Sequence, residues 1–376
     1  DRFSAVREML TGGELDVLTG DYLAELTMLI LGRDRVKDAS LGYARTFLRQ
    51  LEENLADALA RGVKIVSNAG GLNPEGLAEA IDRLGLGAKV AHVTGDDVRD
   101  RFPEALTANA YLGAWGIAEC LNAGADVVVT GRVTDASLVV GPAAAHHGWG
   151  RDDFDALAGA TVAGHVVECG TQATGGNFSG FHALGLDRDP RPLGFPVAEI
   201  AADGSSVITK HEGTGGAVTV DTVTAQLVYE IQSTRYLGPD VTTLLDTLEL
   251  TEAGTDRVAI SGVRGEAPPS QLKVCVNELG GFRNTVEFVL TGLEIDAKAE
   301  WQDNAVVDPM ELLRERQAKE EPLATAEEAL ALVDRIDAAE RLLLARDHLH
   351  LGAVRDDLPA RGCACAARAD DTAGWR

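Results

Sequence analysis

Apolar positions in the first half of the chain fall into two alternating patterns. Short continuous runs occur at residues 15–18, in "VKIVSNAGG", in "AKVAHVTGDD" and in "ADVVVTGRVTDAS". Each runs into glycine or polar residues, as a buried strand does when it enters a turn. Between them lie stretches with helical spacing. Phe47, Leu51, Leu55 and Leu59 mark one face of a helix over residues 43–60. "TGDYLAELTMLILGR" predicts a helix starting near Asp21. Asn73 and Pro74 stand as cap and first residue of another. Residues 108–122 read as helix, and a further helix is expected from Asp135.

Four strands, each leading into a helix, predict a parallel sheet whose ligands bind beyond the carboxyl ends of the strands. The segments expected along that edge are "TGDY", "SNAGGLN", "TGDD" and "TGRVTDAS". The second half is patterned differently. Residues 197–210 read as a hairpin turning at Asp203-Gly204, and residues 220–229 as a helix. Residues 258–261, 272–278 and 285–290 read as strands, and 301–350 as long helix before a tail. The expected class is therefore α/β, a mostly parallel sheet with flanking helices over residues 1–190. A smaller α+β unit (191–300) and a helical C-terminal segment with its tail (301–376) follow.

Composition narrows the partners. The 376 residues carry 59 acidic against 34 basic side chains, a net charge of −25. Such a chain repels nucleic acid and anionic membrane surfaces, so neither is expected as a partner. An anionic substrate would be met by helix N-termini, backbone amides and a few chosen cations. Five cysteines, an odd and sparse set, suit a reducing cytoplasm. No apolar run reaches the roughly 18 residues of a membrane span. The chain opens directly in helix-like sequence, so residues before Asp1 are expected to lie outside this numbering.

The segment "VECGTQATGGNFSG" is the densest candidate for chemistry. It imitates half of a phosphate-binding loop, but Gly176 and Asn177 stand where Lys and Ser/Thr are required. What remains is an amide-rich nest around Thr171, Gly175, Gly176 and Asn177 for a carboxylate or thioester oxygen, or a turn that lets two elements pack closely. Glu168 beside it is the first candidate for general acid or base. Cys169 is a candidate nucleophile if His165, one helical turn earlier, lowers its pKa; an inert buried thiol is the commoner fate. Arg132 suits an anionic group, and Asp135 is either a helix cap or a base. Asp21 and Glu25, at i and i+4 if helical, could share a proton or a metal, or be a cap and an exposed acid. "KHEGTGG" gathers Lys210, His211 and Glu212 before a second glycine loop with Gly215 and Gly216; these groups are either solvated or the second catalytic candidate, with His211 moving a proton and Lys210 holding an anionic end. Asn68, Gly70, Gly71, Asn73 and Asn109 complete the expected substrate-binding set. His348, His350, Cys363 and Cys365 have zinc-ligand chemistry without a common zinc spacing, so no metal is predicted. No cofactor is identified, since there is no nucleotide motif.

Several stretches together resemble one family. "GDYLAELTMLIL", "SNAGGLNP", "LTANAYLGAWGIAE", "ADVVVTGRVTDASLVVGP", "VECGTQATGGNFSGF" and "KHEGTGGAVTVDTVTAQLVYEI" are similar to the acyclic terpene utilisation protein AtuA family, over about residues 1–300. The resemblance implies catabolism of branched acyclic terpenes and acyl-CoA thioesters in the cytoplasm, and no catalytic residue list. The expected function is an enzyme of hydration, lyase or isomerisation type, acting by proton transfer on a small anionic substrate such as an acyl-CoA, with the glycine loops holding an oxyanion. A homo-oligomer is the expected assembly. The alternatives are a non-catalytic binding or assembly subunit and a cysteine-dependent hydrolase.

Overall fold

The computed structural model describes residues 2–278, 294–297 and 363–365. The expected strands at 285–290, the helix over 301–350 and the His348/His350 half of the metal candidate lie outside the described residues. So do the side chains of Cys363 and Cys365.

The first five strands are β1 (Val17–Gly20), β2 (Lys64–Ser67), β3 (Val90–Val93), β4 (Ala105–Ala110) and β5 (Val127–Thr130). Four of them form a parallel sheet in the order β1-β2-β5-β3. The helices are α1 (Ala5–Gly12), α2 (Glu25–Lys37), α3 (Arg45–Arg61), α4 (Pro74–Asp82), α5 (Trp115–Asn122), α6 (Ser137–His147), α7 (Phe154–Val167) and α8 (Val220–Leu227). Alternation along the strands assigns them to two faces. Ile65, Val127 and Val129 pack with Leu51 and Leu55 of α3 and Leu77 and Ile81 of α4. Val66 and Val128 point the other way, onto Ile117 of α5 and Leu138 of α6. A mostly parallel sheet covered on both faces is thus the observed class. Asn73 caps α4 as expected, its Oδ1 accepting from the Gly76 amide at 3.0 Å.

Residues 108–122 do not form one helix. β4 occupies the start of that stretch, and the helix begins only at Trp115. The ladder that makes β4 a strand is distant in sequence. β13 (Val274–Glu278) pairs with it antiparallel, and β14 (Cys363–Cys365) pairs with the other side of β13.

The remaining strands are antiparallel. β6 (Pro196–Ile200) and β7 (Ser206–Lys210) are the expected hairpin, with Gly204 at φ +84° in its turn. They join β10 (Glu249–Gly254) and β11 (Arg257–Ser261) in the order β10-β11-β7-β6. β8 (Arg235–Leu237), β9 (Thr242–Leu244) and β12 (Arg264–Glu266) make a second small sheet. α7 lies between these sheets and α6. Its sequence, FDALAGATVAGHVV, is apolar or small on every side, and every residue from Ala156 to Val166 is buried.

Candidate functional site

The carboxyl ends of β1, β2 and β5 bring four of the expected residues together. Asn68, just past β2, donates from Nδ2 to Asp21 Oδ1 at 2.6 Å and accepts from the Tyr22 amide at 2.7 Å. The Leu23 amide adds a bond to the same Asp21 oxygen. Arg132, just past β5, is only 3% exposed. Its Nη1 donates to Asp135 Oδ1 at 2.7 Å and to the Leu23 carbonyl at 3.2 Å. One carboxylate positions this turn: Asp96 Oδ2 accepts from the Arg132 amide and from Asn109 Nδ2, both at 2.8 Å.

Tyr111, which the sequence did not single out, forms the floor under the cation. The Arg132 guanidinium lies 4.2 Å from its ring centroid and Lys273 Nζ 4.5 Å. The Tyr111 hydroxyl donates to Glu25, which also sits 3.6 Å from Lys273 Nζ. Glu25 opens α2, whereas Asp21 stays in the preceding loop, so the two do not share a helix face. Asp135 likewise caps nothing, because its side chain turns back to Arg132.

Glu168 arrives from the far end of α7. Gly164 makes that approach possible, since a Cβ there would lie 2.8 Å from the Ala136 Cα. Glu168 Oε1 is 3.3 Å from His165 Nδ1, one turn back, and both side chains are nearly buried. The His165 ring is tilted against Tyr236 at 5.5 Å, and neither ring nitrogen makes a well-directed hydrogen bond. The sequence offered His165 as a partner for Cys169; the i,i+3 spacing gives it to Glu168 instead.

Asp21, Asp135 and Glu168 open on one cavity of about 780 Å³. It runs along β1 and between β1 and β6, with Phe47, Leu138, Val139 and Phe195 among its apolar walls. Burial sets the protonation of the polar end. It pushes Asp21 up to about 7, helped by the Asp135 charge. It raises Asp135 and Glu168 as well, against the pull of Arg132 and His165 respectively. For His165, burial works against the cation, but Glu168 together with the Leu227 and Tyr229 backbone offsets it and the pKa rises. The result is one carboxyl group, Asp21, able to hold or release a proton near neutral pH, with two others raised from their ordinary values beside an apolar space.

Other expected residues serve packing. Cys169 is pushed up to about 11 by burial and by the Glu168 charge, the opposite of what a nucleophilic thiol needs. His211 packs on the end of α1, where Gly12 and Gly13 leave room for its ring, and does not line the cavity. Lys210 is tied to Asp256 at 2.9 Å and to the Thr214 carbonyl. The glycine loops pack on each other. The Gly176 amide donates to the Thr171 carbonyl, Gly175 to Gln172 and Gly215 to Pro192. A Cβ on Gly216 would lie 2.5 Å from the Thr174 oxygen. Those three amides therefore cradle no oxyanion, and Asn177 is exposed. Gly70 lies tight against the Thr130 carbonyl, Gly71 against that of Gly42, and Asn73 is the α4 cap.

Among the described residues no group of three or more His, Cys, Asp or Glu side chains could hold a metal ion, and no helix is long and apolar enough to cross a membrane. The family profile described as "Acyclic terpene utilisation family protein AtuA" matches residues 1–327, extending the likeness past residue 300. No curated protein and no solved structure matches the chain.

Proposed function

The chain belongs to the acyclic terpene utilisation protein AtuA family, and we propose that it is an acid–base enzyme of that utilisation, acting on a branched apolar chain at a carbonyl or an adjacent double bond. The observation that carries this reading is the convergence of Asp21, Asp135 and Glu168 on one apolar-walled cavity. Hydration, lyase and isomerisation steps share a requirement: a proton must leave one atom and reach another in a site shielded from bulk solvent. Asp21, poised near 7, is the group that changes charge most easily at neutral pH. Asn68 fixes its orientation, and Arg132 with Asp135 sets the field around it. Glu168, backed by His165, is the second proton carrier, across the cavity floor from the strand ends. Two carboxyl groups with different environments divide the roles of acid and base.

The thiol hydrolase alternative lacks support, because Cys169 is held protonated. The test is turnover in D2O with an α,β-unsaturated branched acyl thioester, read by mass spectrometry. Deuterium incorporation into the acyl chain is expected. Asp21→Asn and Glu168→Gln should each slow it by about 100-fold or more. No incorporation, or wild-type rates in both variants, would sink the reading.

A further inference from the structure

The charges along the cavity are one-sided. Glu14, Asp16, Asp21, Asp135, Glu168 and Glu199 line it, with His146 and His147, and among the described residues no lysine or arginine does. Arg2, bound to Glu8, and Arg49 stack on its Phe195 and Phe3. Three further cations are committed to other groups. Arg132 is buried, bound to Asp135 and stacked on Tyr111. Lys273 lies on the same ring and beside Glu25. Arg257 holds Glu199 at the rim with two bonds, at 2.8 and 2.5 Å. An anion entering this space would lose its water, find no lysine or arginine among the described lining residues and face six carboxyl groups.

We infer that the cavity takes its ligand uncharged: a branched carbon chain carrying a neutral carbonyl or hydroxyl oxygen, with free carboxylates and polyanionic carriers excluded. The inference rests on the reading of this cavity as the site of the proposed chemistry, and it replaces the anionic substrate suggested by sequence. It also accounts for the division of the walls. The apolar stretch along β1 and β6 receives the chain, and the Asp21 carboxyl group at the strand ends, while it holds its proton, donates a hydrogen bond to its oxygen. A neutral oxygen accepts such bonds without repelling the carboxylates that remain ionised.

The experiment holds the acyl group fixed and changes only charge. One branched acyl chain is presented as its pantetheine thioester, which is neutral, as its CoA thioester and as the free acid. Binding to the full chain is measured by calorimetry at pH 6 and low salt. The neutral thioester is expected to bind at least about tenfold tighter than either anion, since each anion meets like charges in the site. Lowering the pH to 4.5 should close more of the gap for the free acid, which gains its own proton, than for the CoA thioester, whose phosphates stay charged. The rim variant Glu14→Lys/Asp16→Lys, both exposed, should narrow the gap for the CoA thioester while leaving the neutral one unchanged. Equal or tighter binding of the CoA thioester or the carboxylate at pH 6 overturns the inference, as does the absence of binding by all three. Selective binding without deuterium incorporation would leave the inference standing and remove the proposed reaction. Turnover with tight CoA binding would do the reverse.

Discussion

Asp21 keeps its proton in the folded chain up to about pH 7, whereas its ordinary carboxyl value is 3.8. Between those values the native state binds more protons than the unfolded state, so this side chain makes stability fall as pH rises. The loss is complete above about 7 and absent below about 4. Asp21→Asn cannot ionise, yet its Oδ1 can still accept from Asn68 and Leu23. The variant should melt higher than wild type at pH 8, and the difference should shrink steadily to nothing by pH 4 in thermal scans. A constant offset across that range would show that Asp21 does not titrate as described. Arg132 is the countervailing residue. It is a buried cation whose bond to Asp135 offsets part of its own desolvation. At this scale the sequence was informative: Asp21, Asn68, Arg132 and Asp135 all follow predicted strand ends. Asp96 lay unmarked within the expected edge segment TGDD, and Tyr111 and Tyr236 were invisible there, because an aromatic ring acquires its role only when distant partners arrive.

Helix α7 shows how an element is placed by what it lacks. At Gly159 a Cβ would lie 2.1 Å from the carbonyl oxygen of Gly204, in the turn joining β6 to β7. On an exposed helix Gly→Ala gains about 1 kcal/mol. Here the clash is with backbone, which cannot swing away as a side-chain tip can. Gly159→Ala should therefore destabilise the protein, by about 1–3 kcal/mol for overpacking, measured by urea unfolding. A stabilised variant would mean that the turn moves freely. The helices on the parallel sheet were legible because their apolar spacing and the Asn73-Pro74 cap are local signals. β4 was not, for a physical reason. Its residues ALTANA favour helix or loop locally, and only the ladder to β13, more than 160 residues away, makes them a strand. Its buried polar side chains also hide the usual alternation: Asn109 Nδ2 donates to Asp96, and Thr107 accepts from Asn277.

The parallel sheet and the antiparallel strands beside it border the same cavity, and α7 and α6 connect them. This arrangement explains why Glu168 joins residues that precede it by more than 30 positions. Sequence order separates them, and the tight passage of Gly164 past Ala136 reunites them. Glycine loops that looked like anion cradles turn out to be contact points between chain segments, a distinction that residue types alone cannot make. One feature of the sheet reaches further. Among the described strands, β1 is bonded to β2 alone, while β2 and β5 have neighbours on both sides. A strand held along one side is released at lower free energy than its neighbours. Its amides should exchange with solvent deuterium before those of β2 and β5, as read by amide-resolved mass spectrometry. Because the cavity lies against β1, this breathing edge is also a doorway: a compound lodged there would seal it, and slowed exchange at residues 17–20 would report occupancy without any assay of turnover.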